Sequence, residues 1–122
     1  MTKEHVENVR KWIEALRSGK YEQGQNKLFD ICCFDDVTAR YCCLGVLAEI
    51  SPNATKRASS YKFIGSWQLY NTLLIPDDWW ISNTGLALTN MYHCIDLNDR
   101  DGYTFKQIAD YLEAQLPLTS VS

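Results

Sequence analysis

Five cysteines are the first residues in this sequence that could do chemistry: Cys32 and Cys33, Cys42 and Cys43, and Cys94. A thiol becomes a nucleophile when its pKa is lowered, and the dipole at a helix N-terminus lowers it. Cys42 or Cys43 at such a terminus, with His93 as base and Asp96 as orienter, would supply the parts of a cysteine-dependent hydrolase. The competing reading is packing: free cysteine is among the most buried residue types, and a thiol inside an apolar helix is inert. Structural zinc usually takes ligands spaced as Cys-x2–4-Cys. Neither vicinal pair has that gap, so a zinc site would need both pairs or His93. Adjacent cysteines rarely bridge each other, because a disulfide needs Cα atoms about 4.4–6.8 Å apart, so reduced thiols are expected. No catalytic or metal-ligating residue is assigned on these grounds, and no cofactor is implied.

A second chemistry is available from aromatic and basic side chains. The chain carries four tryptophans (Trp12, Trp67, Trp79, Trp80), seven tyrosines, and the basic residues Lys56, Arg57 and Lys62 close together. Aromatic faces stack on bases and cations neutralise phosphates, so these residues could form a nucleotide pocket. Lys56, Arg57, Lys62 and Trp67 are its ligand-facing candidates. Tryptophan is highly buried on average, however, and no glycine-rich phosphate loop accompanies the set. A third pattern, Asp96 to Gly102, superficially resembles a calcium loop but fails in register. Placing Gly102 at position six puts Leu97 at position one and Ile108 at twelve, where carboxylates are required.

The elements that must position these residues follow from hydrophobic spacing. Val6, Val9, Trp12, Ile13 and Leu16 recur at helical steps, predicting an amphipathic helix from Thr2 to Arg17 that Ser18-Gly19 stops. Lys20 to Lys27 reads as a loop. Leu28 to Phe34 and Val37 to Tyr41, with Asp35-Asp36 between them, read as a short hairpin. Cys42 to Ile50 is almost wholly apolar and reads as a buried helix ended by Ser51-Pro52-Asn53. Ala54 to Ser60 is expected to be a surface loop, and Tyr61 to Tyr70 two short strands with a bend at Gly65-Ser66. Pro76 can open a short helix through Trp80, while Leu86, Met91 and Ile95 fit either a second buried helix or an irregular packed segment. Thr104 and Gln107 have capping-box spacing, and Phe105, Ile108, Ala109, Leu112 and Leu116 line a last helix that Pro117 stops.

With 122 residues, 46% hydrophobic and 22% charged, the composition is that of an ordinary globular chain and excludes intrinsic disorder and collagen-like structure. The expected fold class is α+β: a single small domain, residues 1–122, with N- and C-terminal helices and a buried central helix packed on a small antiparallel sheet. No apolar run approaches the roughly 20 residues that cross a bilayer, and the charged N-terminus is unlike a secretory signal, so a cytoplasmic protein is expected. A net charge of −3 argues against gripping duplex nucleic acid through its backbone.

The segments Trp12 to Gln23, Tyr41-Cys42-Cys43-Leu44-Gly45-Val46-Leu47, Ile75-Pro76 and Leu97-Asn98-Asp99 to Asp110 resemble a family of small bacteriophage and prophage proteins. The resemblance implies a phage context and transfers no catalytic residues. It leads us to expect a non-catalytic binding protein in the host cytoplasm that inhibits an antiviral defence by sequestering a signalling nucleotide. The alternatives are an inhibitor that docks on a host defence protein and, in third place, a cysteine-dependent hydrolase. A pocket made by so short a chain is also compatible with a homo-oligomer that closes around its ligand.

Overall fold

The structure is a computed structural model that describes residues 1–24, 29–31, 39–57, 60–65 and 75–116. Helix α1 (Lys3–Arg17) is followed by strands β1 (Glu22–Gln23), β2 (Phe29–Ile31) and β3 (Ala39–Tyr41). Helix α2 (Cys43–Ile50), strands β4 (Ala54–Arg57) and β5 (Ser60–Phe63), and helices α3 (Asp77–Thr84), α4 (Leu88–Asp99) and α5 (Phe105–Gln115) complete the order. This is the expected α+β class.

The two terminal helices form where their caps and stripes place them. Thr2 caps α1 in a reciprocal box with His5, and Val6, Val9, Trp12, Ile13 and Leu16 are its buried face. Thr104 and Gln107 form the matching box on α5, whose Phe105, Ile108, Ala109 and Leu112 are buried. These two stripes pack against each other, and Arg17 ties the end of α1 to Asp110 at 2.7 Å and Glu113 at 2.6 Å. All three of these charged groups are too exposed for the ion pairs to add much stability.

Helix α2 is the buried centre. Cys43, Leu44, Gly45, Val46, Leu47 and Ala48 are all buried, and the helix packs on α1, α4 and β4 as well as on β3. Its neighbours are thus helices and strands alike, and the sheet of β1, β3 and β2 beside it is mixed. β2 pairs antiparallel with β3 as the expected hairpin, whereas Glu22–Gln23, expected in a loop, pairs parallel with β3 on its other edge. The expected hairpin turn at Asp35-Asp36 lies outside the described residues.

The second sheet begins earlier than its sequence suggests. Ala54 to Arg57, read as surface loop, is strand β4, and it pairs antiparallel with β5 from Ala54↔Phe63 to Arg57↔Ser60. Of the strands expected at Tyr61 to Tyr70, the first is β5, followed by a turn at Ile64-Gly65; the second, with residues 66–70, lies outside the described residues. The polar Thr55-Lys56-Arg57 stretch has weak strand propensity on its own; the pairing is anchored by Phe63, which is buried against Trp79 at a ring separation of 4.9 Å. Helix α3 runs beyond Trp80 to Thr84, and α4 resolves the ambiguous Leu86–Ile95 segment as a helix.

Trp12, Trp79 and Trp80 are all buried in this core. Trp12 and Trp80 meet edge to face at 5.7 Å, Trp79 turns the other way onto Phe63, and all three indole nitrogens donate to backbone carbonyls.

Candidate functional site

The thiols come first because their helix-terminal position is real. Cys42 is the N-cap of α2, and its sulfur accepts a hydrogen bond from the Gly45 N–H at 3.4 Å. Burial outweighs that help: desolvation of the thiolate pushes the Cys42 pKa up from 9.0 to about 11 despite the backbone N–H groups of Gly45 and Leu44. Cys43 is fully buried, donates from its sulfur to the Cys94 carbonyl at 3.5 Å, and is held well above the ordinary thiol range by its contact with Cys94 and by burial. These thiols pack as small apolar groups.

His93 and Asp96, the expected base and orienter, lie on the exposed side of α4, while Cys94 faces inward. Neighbouring helical residues point about 100° apart, so His93 turns away as Cys94 turns in. The His93 ring sits 4.8 Å from the Tyr111 ring. His93 and Asp96, with Tyr92, Arg100 and Asp101, line an open hollow of about 310 Å³. Cys42, Cys43, His93 and Asp96 are therefore not brought together, and these four residues form no nucleophile–base pair. Among the described residues, no group of three His, Cys, Asp or Glu side chains is placed to hold a metal ion. Cys32 and Cys33 lie outside the described residues. The Asp96–Gly102 segment is the end of α4 and a turn, closed by the Asp101 N–H on Asp96 O and the Tyr103 N–H on Leu97 O, both 2.9 Å.

Asn98, absent from the sequence-derived site candidates, is a buried polar hub among the described residues. It is 1% exposed. Its Oδ1 accepts from Gln23 Nε2 at 3.0 Å and from the Cys43 N–H at 3.2 Å. Its Nδ2 donates to Gly24 O at 2.9 Å and to Asp99 Oδ1 at 2.7 Å. An asparagine amide has two donors and two lone pairs, and these four contacts use them all. Asn98 thereby joins α4 to β1 and to the first N–H of α2, one of the donors a helix leaves unpaired. The signal was legible: Asn98 falls four residues after Cys94 and seven after Met91, a polar residue on the buried stripe of a helix.

Beside this hub lies a hollow of about 290 Å³ lined by Gln23, Gly24, Arg40, Gly102 and Tyr103. Gly24 is required there, since a Cβ would come within 2.9 Å of the Arg40 Cβ. A larger open groove of about 670 Å³ runs between α1 and the end of α2, lined by residues of both charges including Lys3, Glu4, Glu7 and Lys11.

Of the ligand-facing candidates, Lys56, Arg57 and Lys62 all fall on the β4–β5 hairpin, and Trp67 lies outside the described residues. Successive strand residues alternate faces. Register therefore divides the set: Thr55, Arg57, Ser60 and Lys62 share one face, and Lys56 shares the other with Ala54, Tyr61 and Phe63. The buried Phe63 and partly buried Ala54 mark that second face as the one turned to the core.

A family model described as a domain of unknown function (DUF8296) matches residues 3–80, from the start of α1 into α3. No curated protein and no solved structure matches the chain.

Proposed function

We propose that this chain, which belongs to the family described as a domain of unknown function (DUF8296), is a phage-encoded, non-catalytic protein that captures a signalling nucleotide and so blunts a host antiviral defence. The observation that carries the nucleotide reading is the register of the β4–β5 hairpin. It gives Arg57 and Lys62 register positions on the same strand face as Thr55 and Ser60, opposite the face that carries the buried Phe63 and the partly buried Ala54. Such a face suits phosphate oxygens, which take charge-assisted hydrogen bonds from Arg and Lys. The phage setting is supported by the likeness of the Tyr41–Leu47 and Leu97–Asp99 segments described above. Binding rather than turnover is supported by the buried, proton-holding thiols and by the separation of His93 from them.

Docking on a host defence protein is the second reading. The exposed Ile64 (52%) and Ile81 (48%) favour it, because large apolar side chains left in water can be covered by a partner. Titration with cyclic and linear nucleotides separates the two. A captured nucleotide at 100 times its Kd stabilises the fold by about 2.7 kcal/mol, seen as a raised Tm, and the Arg57→Ala, Lys62→Ala double variant loses that shift. The absence of any shift across the panel rejects nucleotide capture and leaves protein docking.

A further inference from the structure

We propose that the hollow beside Asn98 is a binding site in its own right, for a mononucleotide whose base carries an exocyclic amine. It is independent of the hairpin reading, since it lies where β3 enters α2, whereas β4 follows the other end of that helix, about 12 Å along its axis. Three features of the hollow are complementary to such a ligand.

The first is a fixed acceptor. Gln23 spends both protons of its amide nitrogen, one on Asn98 Oδ1 at 3.0 Å and one on Tyr103 O at 2.7 Å. Its Oε1 has no partner among the described residues, and the two bonds on the nitrogen set the amide's orientation. An amine on cytosine or adenine can donate to that oxygen, while uracil presents O4, an acceptor, at the corresponding place. The second is an aromatic surface: Tyr103, 39% exposed, lines the hollow and can stack on a base. The third is a cation in reserve. Among the described residues the Arg40 guanidinium is ion-paired with Glu22, through a long 3.6 Å contact between side chains that are each about half exposed, so little is lost when the guanidinium turns to a phosphate.

The walls between these groups are bare backbone. Gly102 has φ 68° and no atom within 4 Å of where a Cβ would stand, and Gly24 carries no side chain on the opposite wall. A planar ligand can therefore approach closely. The volume, about 290 Å³, is at the small end of ligand pockets and fits one nucleotide rather than a larger molecule.

Calorimetric titration of the intact chain with CMP and UMP tests the assignment. CMP is expected to bind saturably at one site and UMP at least about fivefold more weakly, in keeping with the base edges. Tyr103→Ala and Arg40→Gln should each weaken CMP about tenfold, Tyr103→Phe should keep its affinity, and Arg57→Ala, Lys62→Ala should leave it unchanged. Tyr103 and Arg40 are exposed, so their replacement leaves the core intact, which a thermal melt verifies. Absence of CMP binding, equal binding of UMP, or binding insensitive to Tyr103→Ala and Arg40→Gln overturns the inference. Loss of CMP only in the hairpin variant also overturns it while leaving the hairpin reading standing.

Discussion

Cys42 shows how two opposed effects at one residue are decided by magnitude. Its place at the N-cap of α2 is the position that activates catalytic thiols, yet removal from water raises its pKa to about 11. The consequence for stability has a definite sign. A thiol whose folded pKa lies above its unfolded value favours the fold fully below the unfolded value, and that contribution fades as pH rises through the folded one. Between 9.0 and about 11 the protein should therefore lose roughly 3 kcal/mol through Cys42, measurable as a falling urea midpoint that Cys42→Ala flattens. Site-resolved alkylation at neutral pH should leave Cys42, Cys43 and Cys94 unlabelled until the chain unfolds; rapid native labelling of Cys42 would contradict the assignment. Asn98 makes the converse point, a buried polar residue that stabilises because every hydrogen-bonding position is used. Asn98→Ala strands the Cys43 N–H and Gly24 O, and should cost roughly 3 kcal/mol in chemical denaturation. A cost below about 1 kcal/mol would mean the hub is not what holds α4 to β1 and α2.

At the scale of elements, legibility followed the strength of the local code. Helices α1 and α5 were readable to within a residue because caps, stripes and stop signals agree, and α2 because an apolar run of its length has to be buried. The β4 strand was not, because Thr55, Lys56 and Arg57 owe their conformation to pairing with β5, whose Phe63 is anchored on Trp79. The parallel pairing of β1 is likewise invisible locally: Gly24, close against Arg40, and Gln23, held by Asn98, acquire their roles from residues far along the chain. A third such long-range junction is the docking of α1 on the end of α3. His5 accepts the Thr2 N–H at Nδ1 and donates from Nε2 to Ser82 O at 3.0 Å, while Gly85 caps α3 at φ 66° with the His5 ring where its Cβ would be. Gly85→Ala should cost roughly 2–3 kcal/mol from the left-handed backbone and the collision together. Adding His5→Ala should recover the part due to the collision, and strictly additive losses in the double variant would show that the two residues do not press on each other.

At the scale of the whole molecule, the tryptophans among the described residues serve the fold. Trp12, Trp79 and Trp80 are buried, so three of the tryptophans offered for a nucleotide pocket are core, while Tyr92 and Tyr103 stay exposed; under the reading proposed above, recognition falls to the β4–β5 hairpin and the hollow beside Asn98. The sequence indicated which residues were basic and aromatic; it could not indicate the strand register that separates Lys56 from Arg57 and Lys62, because register arises from pairing. No helix among the described residues is long and apolar enough to cross a membrane. Capture without chemistry is tested most directly by incubating the intact protein with a nucleotide panel, measuring the Tm, then denaturing the complex and identifying the released ligand by mass spectrometry. Capture predicts a raised Tm with the same nucleotide recovered unchanged in stoichiometric amount. A nucleotide recovered hydrolysed or otherwise altered, or a Tm indifferent to every member of the panel, would contradict it.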